Sequence, residues 1–169
     1  MSKLFTTKRI VRAGLIGGLY VALSLVVFPV ASGALQFRPS EALTLLPLIF
    51  PEAIPALFIG CALINLITGC AVFDIVFGSL ITLFAAILTY LFGKFLKSKI
   101  YKVLVGGVFP VLMNAFLLPL IWVWCYGAIE YVYYIQAVLL IVSQTVSVYG
   151  LGIPLYFATE KLLKKGTLR

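Results

Sequence analysis

The chain has 169 residues, of which 63% are hydrophobic and only 11% charged, with a formal net charge of +8 and no histidine. A soluble domain is about half apolar and about a quarter charged, so this composition excludes an ordinary water-soluble fold and points to an all-α integral membrane protein. The missing histidine removes the usual proton relay and the commonest metal ligand.

The positive charge follows a pattern. Every basic residue except Arg38 falls in one of three clusters: Lys3, Lys8, Arg9 and Arg12; Lys94, Lys97, Lys99 and Lys102; Lys161, Lys164, Lys165 and Arg169. Basic residues beside short membrane spans stay on the cytoplasmic side and meet anionic headgroups there, so the partner implied is the lipid bilayer and no nucleic acid. If all three clusters lie inside, each stretch between them crosses an even number of times. At about 20 residues per span, the first stretch holds four spans and the second holds two. The expectation is a compact bundle of six transmembrane helices in one domain, 1–169, multi-pass, with both termini cytoplasmic.

In chain order, the first span runs over 10–31. Its apolar run exceeds the roughly 7–15 residues of a signal h-region and reads as an anchor. Ala13 and Gly17 are four apart, as are Gly14, Gly18 and Ala22, and such small-residue faces let another helix approach closely. That helix belongs either to this bundle or to a separate membrane subunit.

A polar outside segment follows, from Gln36 through Phe37 and Arg38 to Glu41, with Ser40 as the N-cap of a short second span, 41–50. Pro51 and Glu52 make an inside turn, the third span covers 53–67, and the fourth covers 74–92. Three spans must fit between Glu41 and Phe92; three short crossings are the preferred reading, and a re-entrant hairpin between Glu41 and Ile67 is the alternative that keeps the same parity. The fifth span, 103–124, holds Pro110 and Pro119 as kink sites, and Trp122 and Trp124 suit an interfacial belt. The sixth, 131–160, is longer than a bilayer requires and must tilt or project. Cys70 and Cys125 both fall near the outer face and permit a disulfide, although separate thiols are the preferred reading.

Polar side chains at membrane depth are expensive and often functional. Here Gln36, Arg38, Glu41, Asn65, Asp74, Asn114, Glu130 and Gln144 come from distant positions, yet the topology gathers them toward the outer face, as in a pocket that opens outward. Structural readings compete: Arg38 paired with Glu41, Asp74 as a helix cap, Glu130 as a loop charge, Asn114 as interhelical glue. No GxxxxGK[ST], GxSxG or HExxH motif is present, so neither a P-loop nor an enzyme is expected, and no metal site.

The run from Gln36 to Thr44, with Leu46-Pro47, Pro51 to Pro55, Gly60-Cys61, Asn65-Leu66 and Asp74 to Leu80, resembles the QueT family. Its members are substrate-binding (S) components of energy-coupling factor importers assigned to queuosine precursors. The resemblance implies a bacterial cell-membrane protein that captures a small molecule from outside. It has no cofactor of its own, because a transmembrane coupling subunit and two cytoplasmic ATPases use the ATP. It also implies that Ala13 and Gly17 face the coupling subunit, with Gly14, Gly18 and Ala22 as the adjacent option, and that the segment 32–39 closes over the substrate. The chain has Ala56 where the family carries glycine. A guanine-like edge offers two parallel donors that one carboxylate accepts together; Asp74 and Glu41 precede Glu130 for that role. Asn65 or Asn114 then serves the 6-oxo group, and Phe37, Tyr134 or a tryptophan stacks on the ring. The same architecture carrying a riboflavin- or thiamine-like vitamin is one alternative, and a structural subunit with no ligand is another.

Overall fold

The computed structural model describes residues 6–31, 36–127 and 132–165. Among these the elements are all helical: α1 (Thr7–Ala31), a 3₁₀ helix (Pro39–Leu48), α2 (Ala53–Ile67), a π-turn (Asp74–Gly78) leading into α3 (Ser79–Phe95), α4 (Lys99–Tyr126), α5 (Tyr133–Thr145), a second π-turn (Val146–Leu151) and α6 (Gly152–Lys164). Four continuous stretches are long and apolar enough to cross a membrane: Thr7–Phe28, Asp74–Phe95, Lys99–Cys125 and Tyr133–Lys164. The last has 32 residues, about 48 Å of helix against a hydrocarbon core of about 30 Å. Large apolar side chains face outward on these helices, among them Leu15, Val26, Phe95 and Trp124, which suits a lipid solvent.

The second expected helix is not α-helical. Pro39–Leu48 is a ten-residue 3₁₀ helix, far longer than the three or four residues usual for this form. Its residues Ser40 to Pro47 are all buried. Threefold symmetry distributes its apolar side chains around the whole circumference. Leu43 and Leu46 join a cluster with Ile16 and Tyr20 of α1 and Leu57 of α2. Leu45 and Leu48 join another with Val103 and Val111 of α4 and Tyr156 of α6. Every side of the segment therefore meets a helix, and packing stabilises a geometry that is weak in isolation. Its length is about 20 Å and that of α2 about 22 Å, so neither alone matches the hydrocarbon thickness.

Contacts at both ends fasten this central rod to α1. At one end Ser24 Oγ donates to Ser40 Oγ at 2.7 Å. At the other, Arg12 pairs with Glu52 at 2.6 Å and its guanidinium lies 4.2 Å from the Phe50 ring centroid. Ser40 is thus not the expected N-cap: Arg38 holds that position and makes no side-chain cap bond. At the same end as Arg12, Lys99 of α4 pairs with Glu160 of α6, which also takes Lys164 at 3.7 Å. α6 reaches the rod through Gly152, where a β-carbon would lie 2.9 Å from a Leu45 methyl and 3.0 Å from the Ala42 carbonyl oxygen. α4 runs through Pro110 and Pro119 as one continuous helix. Cys61, Cys70 and Cys125 are free thiols, so the cysteines form no disulfide.

Candidate functional site

At the end away from these ion pairs, the helices part around a cavity with two adjoining lobes. The inner lobe, of about 170 Å³, is lined by side chains from the 36–41 segment, α2, the first π-turn, α3 and α4. The outer lobe, of about 270 Å³, lies between α1 and the end of α2. Gln36, Arg38, Asn65 and Cys70 line both.

Among the described residues Glu41 is the most buried charge, 2% exposed. It sits in the first turn of the 3₁₀ helix, where an acid suits the positive end of the backbone dipole. Tyr20 Oη donates to its Oε1 at 2.7 Å, and Asn114 Nδ2 donates to its Oε2 at 3.2 Å. α1 and α4 therefore fix this carboxylate from two sides with neutral donors. Arg38 does not pair with it: among the described residues Arg38 forms no ion pair.

Asp74 starts the π-turn, a wide helical geometry that recurs at functional sites. It does not cap the helix. Its Oδ1 accepts from Trp122 Nε1 at 2.8 Å, and its backbone carbonyl accepts from Asn65 Nδ2 at 3.2 Å. Asn65 also lies 3.7 Å from Cys61 Sγ, which takes the Thr82 hydroxyl at 3.5 Å. Asn114, Leu118 and Trp122 recur every fourth residue on α4 and all face the inner lobe.

Six residues expected from the sequence thus line one cavity: Gln36, Arg38, Glu41, Asn65, Asp74 and Asn114. Phe37 is half-buried but lines neither lobe. Gln144 is 2% exposed and also lines neither lobe; its Oε1 has no hydrogen-bond partner. Glu130 and 32–35 lie outside the described residues. Tyr134 is 76% exposed on α5 and is no ring platform for this cavity. The sequence reading missed Tyr20, Ser24, Cys61, Thr68 and Thr82. Tyr20 and Ser24 carried a signal: they are four apart on the anchor helix, on the face that the small residues leave polar. Trp122, expected at the lipid boundary, turns inward to Asp74.

The small-residue faces of α1 separate. A β-carbon on Gly17 would lie 3.1 Å from the Ala56 carbonyl oxygen, and Ala13 packs against the same core. Gly17 therefore packs on α2 of this same bundle, one of the two kinds of partner that the small-residue spacing allows. Gly14 and Gly18 have nothing within 4 Å of a β-carbon position, and with Ala22 they stand exposed. Among the described residues no group of three or more acids and cysteines is placed to hold a metal ion.

Comparison with known proteins places the chain in a family. The family profile described as QueT transporter matches residues 10–161. No curated protein matches the chain, and no solved structure does. The match covers nearly all of the apolar bundle, including every cavity-lining position, and the chain belongs to the QueT transporter family.

Proposed function

We propose that this membrane transporter is the substrate-capturing S component of an energy-coupling factor importer, and that it takes a queuosine precursor, a 7-substituted 7-deazaguanine, from outside the cell. Both termini and all three basic clusters face the cytoplasm. A transmembrane coupling subunit and two cytoplasmic ATPases supply the power stroke, and the open Gly14–Gly18–Ala22 face of α1 meets the coupling subunit.

The observation that carries this reading is the convergence of six distant polar side chains on one cavity at the end opposite the ion-paired basic residues. The chemistry suits the cargo. Glu41, held with both oxygens hydrogen-bonded, keeps further lone pairs for the parallel donors of a guanine edge. Arg38, Gln36 and Asn65 supply donors for a 6-oxo group. Leu118 and Trp122 supply faces for a flat ring.

A ligand panel tests the reading. In detergent-purified protein, a 7-deazaguanine should raise the unfolding temperature, whereas riboflavin and thiamine should not. A shift with a vitamin alone would transfer the cargo assignment to that vitamin, and no shift with any compound would favour a structural subunit. Co-purification with the coupling subunit and ATPases tests the assembly.

A further inference from the structure

We propose that the hairpin of α3 and α4 holds one anionic phospholipid, with its phosphate on Lys97 and Lys102 and an acyl chain on the ring pair of Phe92 and Phe109. The site lies at the ion-paired end of the bundle, away from the cavity, and does not depend on the cargo assigned above.

Charge is the first observation. Between Asp74 and Glu130 the chain has no acid, yet Lys94, Lys97, Lys99 and Lys102 all fall there. The short turn 96–98 joins the two helices, so the four ammonium groups gather at one corner. Glu160 takes Lys99. Among the described residues Lys94, Lys97 and Lys102 have no ion pair. Lys94 rests instead over the Tyr90 ring, 4.2 Å from its centroid. The first turn of α4 contains no acid, and the lysines that open this helix oppose its dipole. The corner therefore lacks negative charge that its own chain does not supply.

The surface beside it is the second observation. Lys102, Val105 and Phe109 recur at three- and four-residue spacing and share one face of α4. The Phe109 ring meets Phe92 of α3 at 4.6 Å between centroids, and Phe92 is exposed. Toward the turn, Phe95 is 82% exposed. The two helices run close together here, with Thr89 Oγ1 donating to the Gly106 carbonyl oxygen at 2.8 Å. The groove between them is shallow and floored by rings. A positive rim beside an outward-facing apolar strip complements one kind of molecule, a phosphate headgroup that carries a hydrocarbon tail. A free phosphate leaves the strip uncovered, and a soluble acidic protein does not reach it within the bilayer. A zwitterionic headgroup brings its own cation against the lysines. An anionic phospholipid satisfies both the charge and the strip.

Lipid titration of the detergent-purified protein tests this. Phosphatidylglycerol and phosphatidylcholine with the same acyl chains are added separately, and bound lipid is counted by native mass spectrometry. The wild-type protein should hold one phosphatidylglycerol about tenfold more tightly than phosphatidylcholine. A lysine beside an anionic headgroup is worth about fivefold, so Lys97→Gln combined with Lys102→Gln should weaken phosphatidylglycerol about twenty-five-fold. Lys161→Gln combined with Lys165→Gln removes the same charge elsewhere at this end; acting only through a screened potential, it should stay within about threefold of wild type. Equal losses in the two double variants would show diffuse attraction to a charged surface and overturn the proposal. Equal wild-type affinity for the two lipids would overturn it as well, and so would displacement of the lipid by inorganic phosphate, the mark of a free-anion site. Should the double variant fail to fold, Lys97→Gln, in the exposed turn, carries the same test at about fivefold.

Discussion

The two ends of the bundle handle their acids in opposite ways. At the basic end, Glu52 meets Arg12 and Glu160 meets Lys99 and Lys164. Each acid there has a cation from its own chain. At the other end, the buried Glu41 meets a phenol and an amide, both of them neutral. An acid matched by a cation is electrostatically complete. An acid held by neutral donors is oriented but keeps its charge for something else, and at this end a cavity adjoins it. The difference separates an ion-paired seam from the proposed binding site.

Substitutions at the two ends should break the molecule differently. The largest effect belongs to Glu41→Ala, which removes the acceptor of both Tyr20 and Asn114. Ligand affinity should fall by about a hundredfold or more, and stability by about 1–3 kcal/mol for the polar groups left unsatisfied. Titration and thermal unfolding read the two losses. Retained affinity in this variant would remove Glu41 from the site.

Next comes Gly152→Val, where α6 meets the rod. The added atoms collide with Leu45 and the Ala42 carbonyl, and overpacking of this kind costs about 1–3 kcal/mol. Thermal unfolding should register the loss, while the ligand affinity of the folded fraction stays at the wild-type value. A selective affinity loss would mean that the closed seam and the cavity are coupled.

The contrast recurs around α1. Gly17→Leu should destabilise the bundle, because the side chain has to displace α2. Gly14→Leu should leave unfolding and ligand binding unchanged and reduce only co-purification with the coupling subunit. Equal behaviour of the two variants in all three assays would contradict the division of the helix into an inner and an outer face. The smallest effect is expected of Glu52→Gln. Its partner Arg12 is partly exposed, so the loss should be about 1 kcal/mol or less, weaker still at high salt, with ligand affinity untouched.

Much of this arrangement was legible in the chain, because hydropathy and clustered charge act over tens of residues. The long helices begin and end close to where apolar runs meet lysines: Lys94 closes α3 and Lys99 opens α4. The convergence of Glu41, Asn65, Asp74 and Asn114 followed from placing costly side chains at one depth. The form of the second segment did not follow. A run such as Pro39–Leu48 becomes a 3₁₀ helix only because leucines on three sides find neighbours, and those contacts are tertiary. Both π-turns escaped for the same reason. The inward turn of Trp122 depends on an acid 48 residues away, and local aromatic preference suggested lipid instead. At Gly17 a small-residue pattern says that something packs closely; Ala56 of this same chain is what does.

The most direct test of the central claim uses Cys70, which lines both lobes and is partly exposed. In a Cys125→Ser background, with Cys61 buried, intact cells are treated with a membrane-impermeant maleimide, with and without added 7-aminomethyl-7-deazaguanine. Labelling from outside, suppressed by the added base, is the expected result. Labelling that requires permeabilised cells, or outside labelling that the base leaves unchanged, would contradict an outward-opening substrate cavity.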